Sequence, residues 1–85
     1  MDDVPGLDDF FIQTNFYDLL PLARHIATGM GFGDGEMIEA VCRVYDKYMQ
    51  YPPTLNRRAW FETVFAEKLL EAQGDILSFR IRNGF

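Results

Sequence analysis

Few residues in this sequence are placed to do chemistry, and each can be weighed singly. His25 is the only histidine and Cys42 the only cysteine. A catalytic histidine needs a nucleophile or a carboxylate held beside it. Asp18 and Cys42 are the conceivable partners of His25, and the spacing forces neither. The enzyme reading is therefore a small hidden site around His25. The plainer reading puts His25, next to Arg24 on a short helix, at the surface. Cys42 then lies at the edge of an apolar stripe, where a small hydrophobe belongs. One histidine and one cysteine are too few to hold zinc, and a lone cysteine has no disulfide partner in its own chain. No catalytic, cofactor-binding or metal residue is assigned on these grounds.

The glycine-rich run GMGFGDG, with Gly29, Gly31, Gly33 and Gly35, is the next place to look for chemistry. A dinucleotide fingerprint needs G-x-G-x-x-G after a strand, so that helix amides face a pyrophosphate. Counting from Gly29 puts Asp34 at the third glycine position, and counting from Gly31 puts Glu36 there. Both side chains repel phosphate, and the preceding segment has helical spacing. The corner Asp34-Gly35-Glu36 also carries too few oxygen ligands for a calcium loop. The run is expected to join two helix ends, its glycines supplying positive φ.

Arg57 and Arg58 occupy the first turn of a long helical stretch, where the helix dipole disfavours cations. A placement against local preference can mark a binding site. A second group, Phe79, Arg80, Ile81 and Arg82, lies near the C-terminus. These six residues are the candidate partner-binding set. Two small basic pairs do not make a phosphate-binding stripe, and the overall net charge is −5. Asp2, Asp3, Asp8 and Asp9 account for most of it, leaving −1 over residues 10–85. A general nucleic-acid binder would carry a basic face instead, so nucleic acid is disfavoured as a partner.

The elements that would position these residues follow from spacing. Residues 1–9 form an acidic, flexible lead broken by Pro5 and Gly6, and residues 10–85 form one helical domain. Pro21 fits the first turn of a helix over 19–28 capped by Asp18 and stopped by Gly29. Asp34 is expected to cap a second helix over 36–50. Its apolar arc holds Met37, Ile38, Val41, Cys42, Val44, Tyr45, Tyr48 and Met49, with Glu39 and Arg43 paired on the wet side. Tyr51-Pro52-Pro53 ends it. Asn56 caps the third and longest helix, 56–73, which holds the only tryptophan and ends at Gly74. Trp60, Phe61, Val64, Phe65, Leu69 and Ala72 span an arc of roughly 180°, wide enough for more than one neighbour. Trp60 is expected to be mostly buried against the 36–50 helix. Lys68 falls inside that arc and is expected to snorkel. Leu77, Phe79 and Ile81 alternate with Ser78, Arg80 and Arg82, the period of a strand. Phe10–Asn15 is then its partner in a two-stranded ribbon, and a short helix capped by Asp75 is the competing assignment.

The order of features from Leu19 to Leu70 resembles region 2 of extracytoplasmic-function sigma factors. There an acidic amphipathic helix, a Pro-containing link and a helix opening with Arg-Ala-Trp follow one another. The matching residues are Glu36 to Tyr48, Tyr51-Pro52-Pro53 and Arg58-Ala59-Trp60. The resemblance implies binding to the RNA polymerase clamp. In the family this region also melts promoter DNA, but the chain has no clear basic face and shows no second DNA-binding domain. The resemblance therefore implies at most a relic or mimic of the polymerase-binding half.

The fold expected is mainly α, a three-helix core with terminal segments closing over it, as a small ribbon if they are strands. No apolar run approaches the roughly 18 residues of a membrane helix. The lone cysteine and the acidic start fit a cytoplasmic protein. The functional expectation is a non-enzymatic protein-interaction or regulatory domain. A protein partner or a homodimer would cover the apolar surface that so small a chain leaves over.

Overall fold

The computed structural model describes the backbone of residues 6–82 and the side chains of residues 6–75. The protein is mainly helical. Helix α1 spans Leu7–Gln13, and a 3₁₀ turn over Tyr17–Leu19 leads into α2, Leu20–Met30. Helix α3 spans Asp34–Gln50 and α4 spans Arg57–Arg82.

The helix starts are built from short-range polar contacts. At α1 and α3 the residue before the helix is a glycine, and an acid three residues later reaches back to it. The Gly6 N–H donates to Asp9 Oδ2 at 2.9 Å, and the Gly33 N–H donates to Glu36 Oε1 at 2.9 Å. This is the return half of a capping box, with the carboxylate also favoured by the helix dipole. Asp34 is thus the first helical residue of α3 and Gly33 the cap. Asp18 does not cap α2 either: it lies in the 3₁₀ turn, and its carboxylate is taken by Arg57. Asn56 does cap α4, its Oδ1 accepting from the Ala59 N–H at 3.0 Å. Helix α2 runs past Gly29 and stops at Gly31, where φ is +81°. Such a left-handed cap suits glycine.

Three expectations are corrected. The helix begins at Leu7, inside the segment expected to be a flexible lead, and Leu7 is buried. The ribbon is absent: among the described residues there is no strand, since Phe10–Gln13 belong to α1 and 76–82 to α4. Gly74 does not end α4, which continues through it. Extending a running helix adds one hydrogen bond per residue fixed, whereas a new strand needs a distant partner. A mid-helix glycine costs only about 1 kcal/mol relative to alanine. Three alternating apolar residues were too short a pattern to outweigh that.

The core is shared by all four helices. Phe11, Phe16, Phe61 and Phe65 are its largest fully buried side chains. Met37, Val41 and Val44 of α3 meet Leu69 and its neighbours on α4, and Ala23 and Ala27 bring α2 close. The short segment Phe10–Phe16 therefore covers the core rather than forming a patch, although Ile12 stays exposed. Thr14 is the one buried polar residue among those described. Its hydroxyl donates to the Phe10 carbonyl at 2.8 Å, closing the end of α1. Asn15 then turns the chain with φ +64°, a conformation asparagine tolerates.

Candidate functional site

Around the turn between α3 and α4, aromatic and ionic contacts join the surface to the core. A run of rings leads to it from the core. Phe11 packs edge-on against Phe65, which stacks on Phe61 at 5.1 Å between centroids. Phe61 touches Phe16, Phe16 meets Tyr48 edge-on at 5.6 Å, and Tyr48 meets Trp60 at 5.7 Å. Trp60 does pack against α3 through Tyr48, but it is half-buried, so one side of the indole faces outward.

Arg57 locks this corner. Its guanidinium donates to Asp18 Oδ2 at 2.8 Å and to the Asn15 carbonyl, and it sits 4.9 Å over the Phe16 ring. The unfavourable placement at a helix N-terminus is thus offset by a carboxylate, a carbonyl and an aromatic face. Arg57 is spent on joining α4 to the segment before α2. Arg58, beside it, is exposed and makes no ion pair among the described residues.

On this corner sit large apolar side chains in water. Leu55 is 95% exposed, Tyr51 70% and Met49 63%. Tyr17, next to Asp18, is also exposed. Sequence reasoning missed them as a group. Met49 had been placed on the buried arc of α3, but the last turn of that helix runs beyond the cover α4 provides. The available signal was Leu55 itself, a leucine after Pro52-Pro53 with no element to bury it.

A second feature lies along the α3–α4 contact: an open groove of about 460 Å³ lined by Arg43, Lys47, Lys68 and Glu71 among others. Its charges pair with one another. Arg43 Nη2 lies 2.7 Å from Asp75 Oδ2, Arg43 Nη1 3.7 Å from Glu71, and Lys47 Nζ 3.6 Å from Glu67. Arg43 also keeps its expected i,i+4 partner Glu39, at 3.9 Å. Far from being only a wet-side residue, it bridges two helices. Its hydrogen bond to Asp75 raises its pKa above the usual arginine value; burial opposes this, and the charges of Asp75, Glu39 and Glu71 add to it. Lys68 is largely covered, and its ammonium meets Glu71 Oε2 at 3.0 Å. The groove is balanced in charge and leaves no cation over for an anion.

His25 is exposed and makes no side-chain hydrogen bond or ion pair among the described residues. Asp18, its conceivable partner, is engaged by Arg57. Cys42 is half-buried, and its thiol is pushed up from the ordinary value by burial first, then by Glu39 and Asp46. That keeps it a thiol rather than a thiolate. Among the described residues no group of three or more His, Cys, Asp or Glu could hold a metal ion.

The side chains of Phe79, Arg80, Ile81 and Arg82 lie outside the described residues. Their helical backbone nevertheless bears on the basic pairs. Arg57 and Arg80 are 23 residues apart on one helix, which is about 35 Å of rise. The two pairs are therefore set far apart along the axis of α4. No helix among the described residues is long and apolar enough to cross a membrane. The chain matches no family model, and no curated protein and no solved structure matches it.

Proposed function

We propose that this protein is a small non-enzymatic interaction or regulatory domain, and that it docks a protein partner through the α3–α4 corner. The observation that carries the reading is Leu55, almost wholly in water beside Tyr51 and Met49. Scattered apolar residues on a surface mean little. These three fall within one short stretch, 49–55, and the ring stack and Arg57 pack its flanks. A preformed apolar knob loses little entropy on docking. Exposed Arg58 adds a cation next to it, so the partner is expected to offer an apolar pocket with an acidic rim. The test is a photoreactive amino acid at position 55, with one at exposed Thr28 as control, irradiated in the native host. One discrete adduct from position 55 and none from 28 supports the reading. No adduct, or the same adducts from both, overturns it.

A second reading keeps the sigma-factor resemblance. Its support is the order α3, Pro52-Pro53 link, then α4 with Arg58-Ala59-Trp60 in its opening turn. On this reading the partner is the RNA polymerase clamp. Purified polymerase binding the chain, and losing it on Leu55→Ser or Arg58→Glu, would carry it. Absence of binding at micromolar protein would remove it.

A further inference from the structure

The chain has four methionines and one cysteine, and the fold treats these sulfurs differently. Met37 is 2% exposed inside the core, and Met30 packs partly buried against it. Cys42 is half-buried, and burial with two acidic neighbours keeps it a thiol, whereas the thiolate is the form oxidants attack. Met1 lies outside the described residues. Among those described, Met49 is the one sulfur that stands in water, on the last turn of α3.

Its position adds to its exposure. Met49 shares the stretch 49–55 with Tyr51 and Leu55, the apolar side chains of the corner. Methionine is unbranched and adaptable, which suits it to a docking surface. It also differs in chemistry from its two neighbours, because its thioether takes up one oxygen and becomes a polar sulfoxide. In the free chain that oxygen would stay in water. Against an apolar pocket it would lose water and gain no donor, which is costly. An acidic rim, the kind Arg58 favours, does not help, because carboxylates accept hydrogen bonds and the sulfoxide oxygen does too. Oxidation at Met49 therefore penalises the docked state and spares the fold.

We propose that Met49 is an oxidation site that regulates docking, a peroxide converting its thioether to the sulfoxide and so releasing the partner from the α3–α4 corner. The inference rests on that corner being the docking surface. With hydrogen peroxide, a sulfur lone pair attacks the O–O bond. The S–O bond forms, the O–O bond breaks, and the other oxygen leaves as water with both protons. Sulfur is oxidised by two electrons and the peroxide is reduced by two. Methionine sulfoxide reductases supply the return step. Two cysteine thiols of the reductase give two electrons and two protons, the sulfoxide oxygen leaves as water, and the thiols become a disulfide.

The test uses the purified chain with the photoreactive amino acid at position 55. It is treated with hydrogen peroxide, the excess is destroyed with catalase, and oxidation is read at each methionine by peptide mass spectrometry. Met49 should gain one oxygen at least about tenfold faster than Met30 or Met37. Cys42 should still be reduced, with helicity and the denaturation midpoint unchanged. The chain is then mixed below saturation with an extract of the native host and irradiated at once. Oxidation of Met49 should lower the adduct yield at least about tenfold, and prior treatment with reductases for both sulfoxide epimers should restore it. Met49→Gln, polar at similar length, should lower the yield without peroxide. Met49→Leu is read against its own untreated yield, which peroxide should no longer change. Faster oxidation at Met30 or Met37 overturns the inference. So does an adduct that survives oxidation of Met49, or one that peroxide still abolishes in Met49→Leu. In those cases the untreated chain still forms its adduct and the docking reading stands. No adduct from the untreated chain removes the docking reading, and the regulatory inference with it.

Discussion

The two halves of the α3–α4 pair are held together by different physics. Near the connecting turn the contact is made of rings, from Phe61 and Phe16 to Tyr48 and Trp60, with Arg57 clamped across them. Away from it the contact is edged by charges: Arg43 with Glu71 and Asp75, Lys47 with Glu67. Buried rings contribute through area and packing, which salt does not touch. Partly exposed ion pairs contribute little net stability, because solvent screens them and the side chains lose freedom. The comparison assigns the turn to stability and the ladder to alignment. It also places the exposed knob of Tyr51 and Leu55 on the half held by rings.

The sharpest way to break this comparison is to remove a ring. Phe61 is fully buried and touches both Phe16 and Phe65. Phe61→Ala should cost about 3–5 kcal/mol in denaturant unfolding, with no dependence on salt. A loss below about 1 kcal/mol would mean the ring stack is not the source of stability. Trp60→Ala, by contrast, removes a ring with one side already in water, and should cost roughly half as much.

Arg57 comes next. It joins α4 to the chain before α2 through two charge-assisted hydrogen bonds and one aromatic face. Arg57→Ala should cost about 1–3 kcal/mol. Arg57→Lys keeps the charge but loses the fork, so it should fall between the two. Equal stability for lysine and arginine would show that charge alone matters there.

The ladder gives a smaller effect with a different signature. Arg43→Gln should cost no more than about 1 kcal/mol at low ionic strength. The difference from the parent protein should vanish near 1 M salt, where the screening length is about 3 Å. A larger loss that persists in salt would move Arg43 from alignment to stability.

Much of this fold was legible in the sequence, and the failures share a cause. The Asn56 cap, the α3 arc up to Tyr48 and the Pro52-Pro53 break are local signals, and each stands where spacing put it; Met49, on the last turn, does not. The end of α4 was misjudged because Gly74 and the alternation after it are also local signals, and a running helix outweighed them. The role of Arg57 was half legible. Its odd placement marked it as a residue with a partner, but the partner is Asp18, 39 positions earlier in the chain. Only the fold brings those two together. The same holds for Arg43, whose i,i+4 pair was visible and whose bridge to Asp75 was not. Leu55 stood out less than it should have, because periodicity describes what a helix buries and says nothing of a turn.

The smallest effect concerns Cys42, on the ladder side of the α3 helix. Burial and the neighbouring carboxylates of Glu39 and Asp46 raise its pKa above the ordinary 9.0. For a thiol the charged form is the deprotonated one, so folding favours the neutral state. The stability this contributes is present below the unfolded pKa and is lost as pH rises through the folded one. Iodoacetamide should therefore modify the folded chain more slowly than the urea-unfolded chain at mildly alkaline pH, once rates are corrected for the effect of urea on a model thiol. The rate for the folded chain should keep climbing at pH values where that of the unfolded chain has levelled off. In the Glu39→Gln variant the midpoint should move down, since one of the two acidic neighbours is gone. A folded-state midpoint at or below the unfolded one would show that Cys42 is a more open and more reactive thiol than its place beside the buried face of α3 implies.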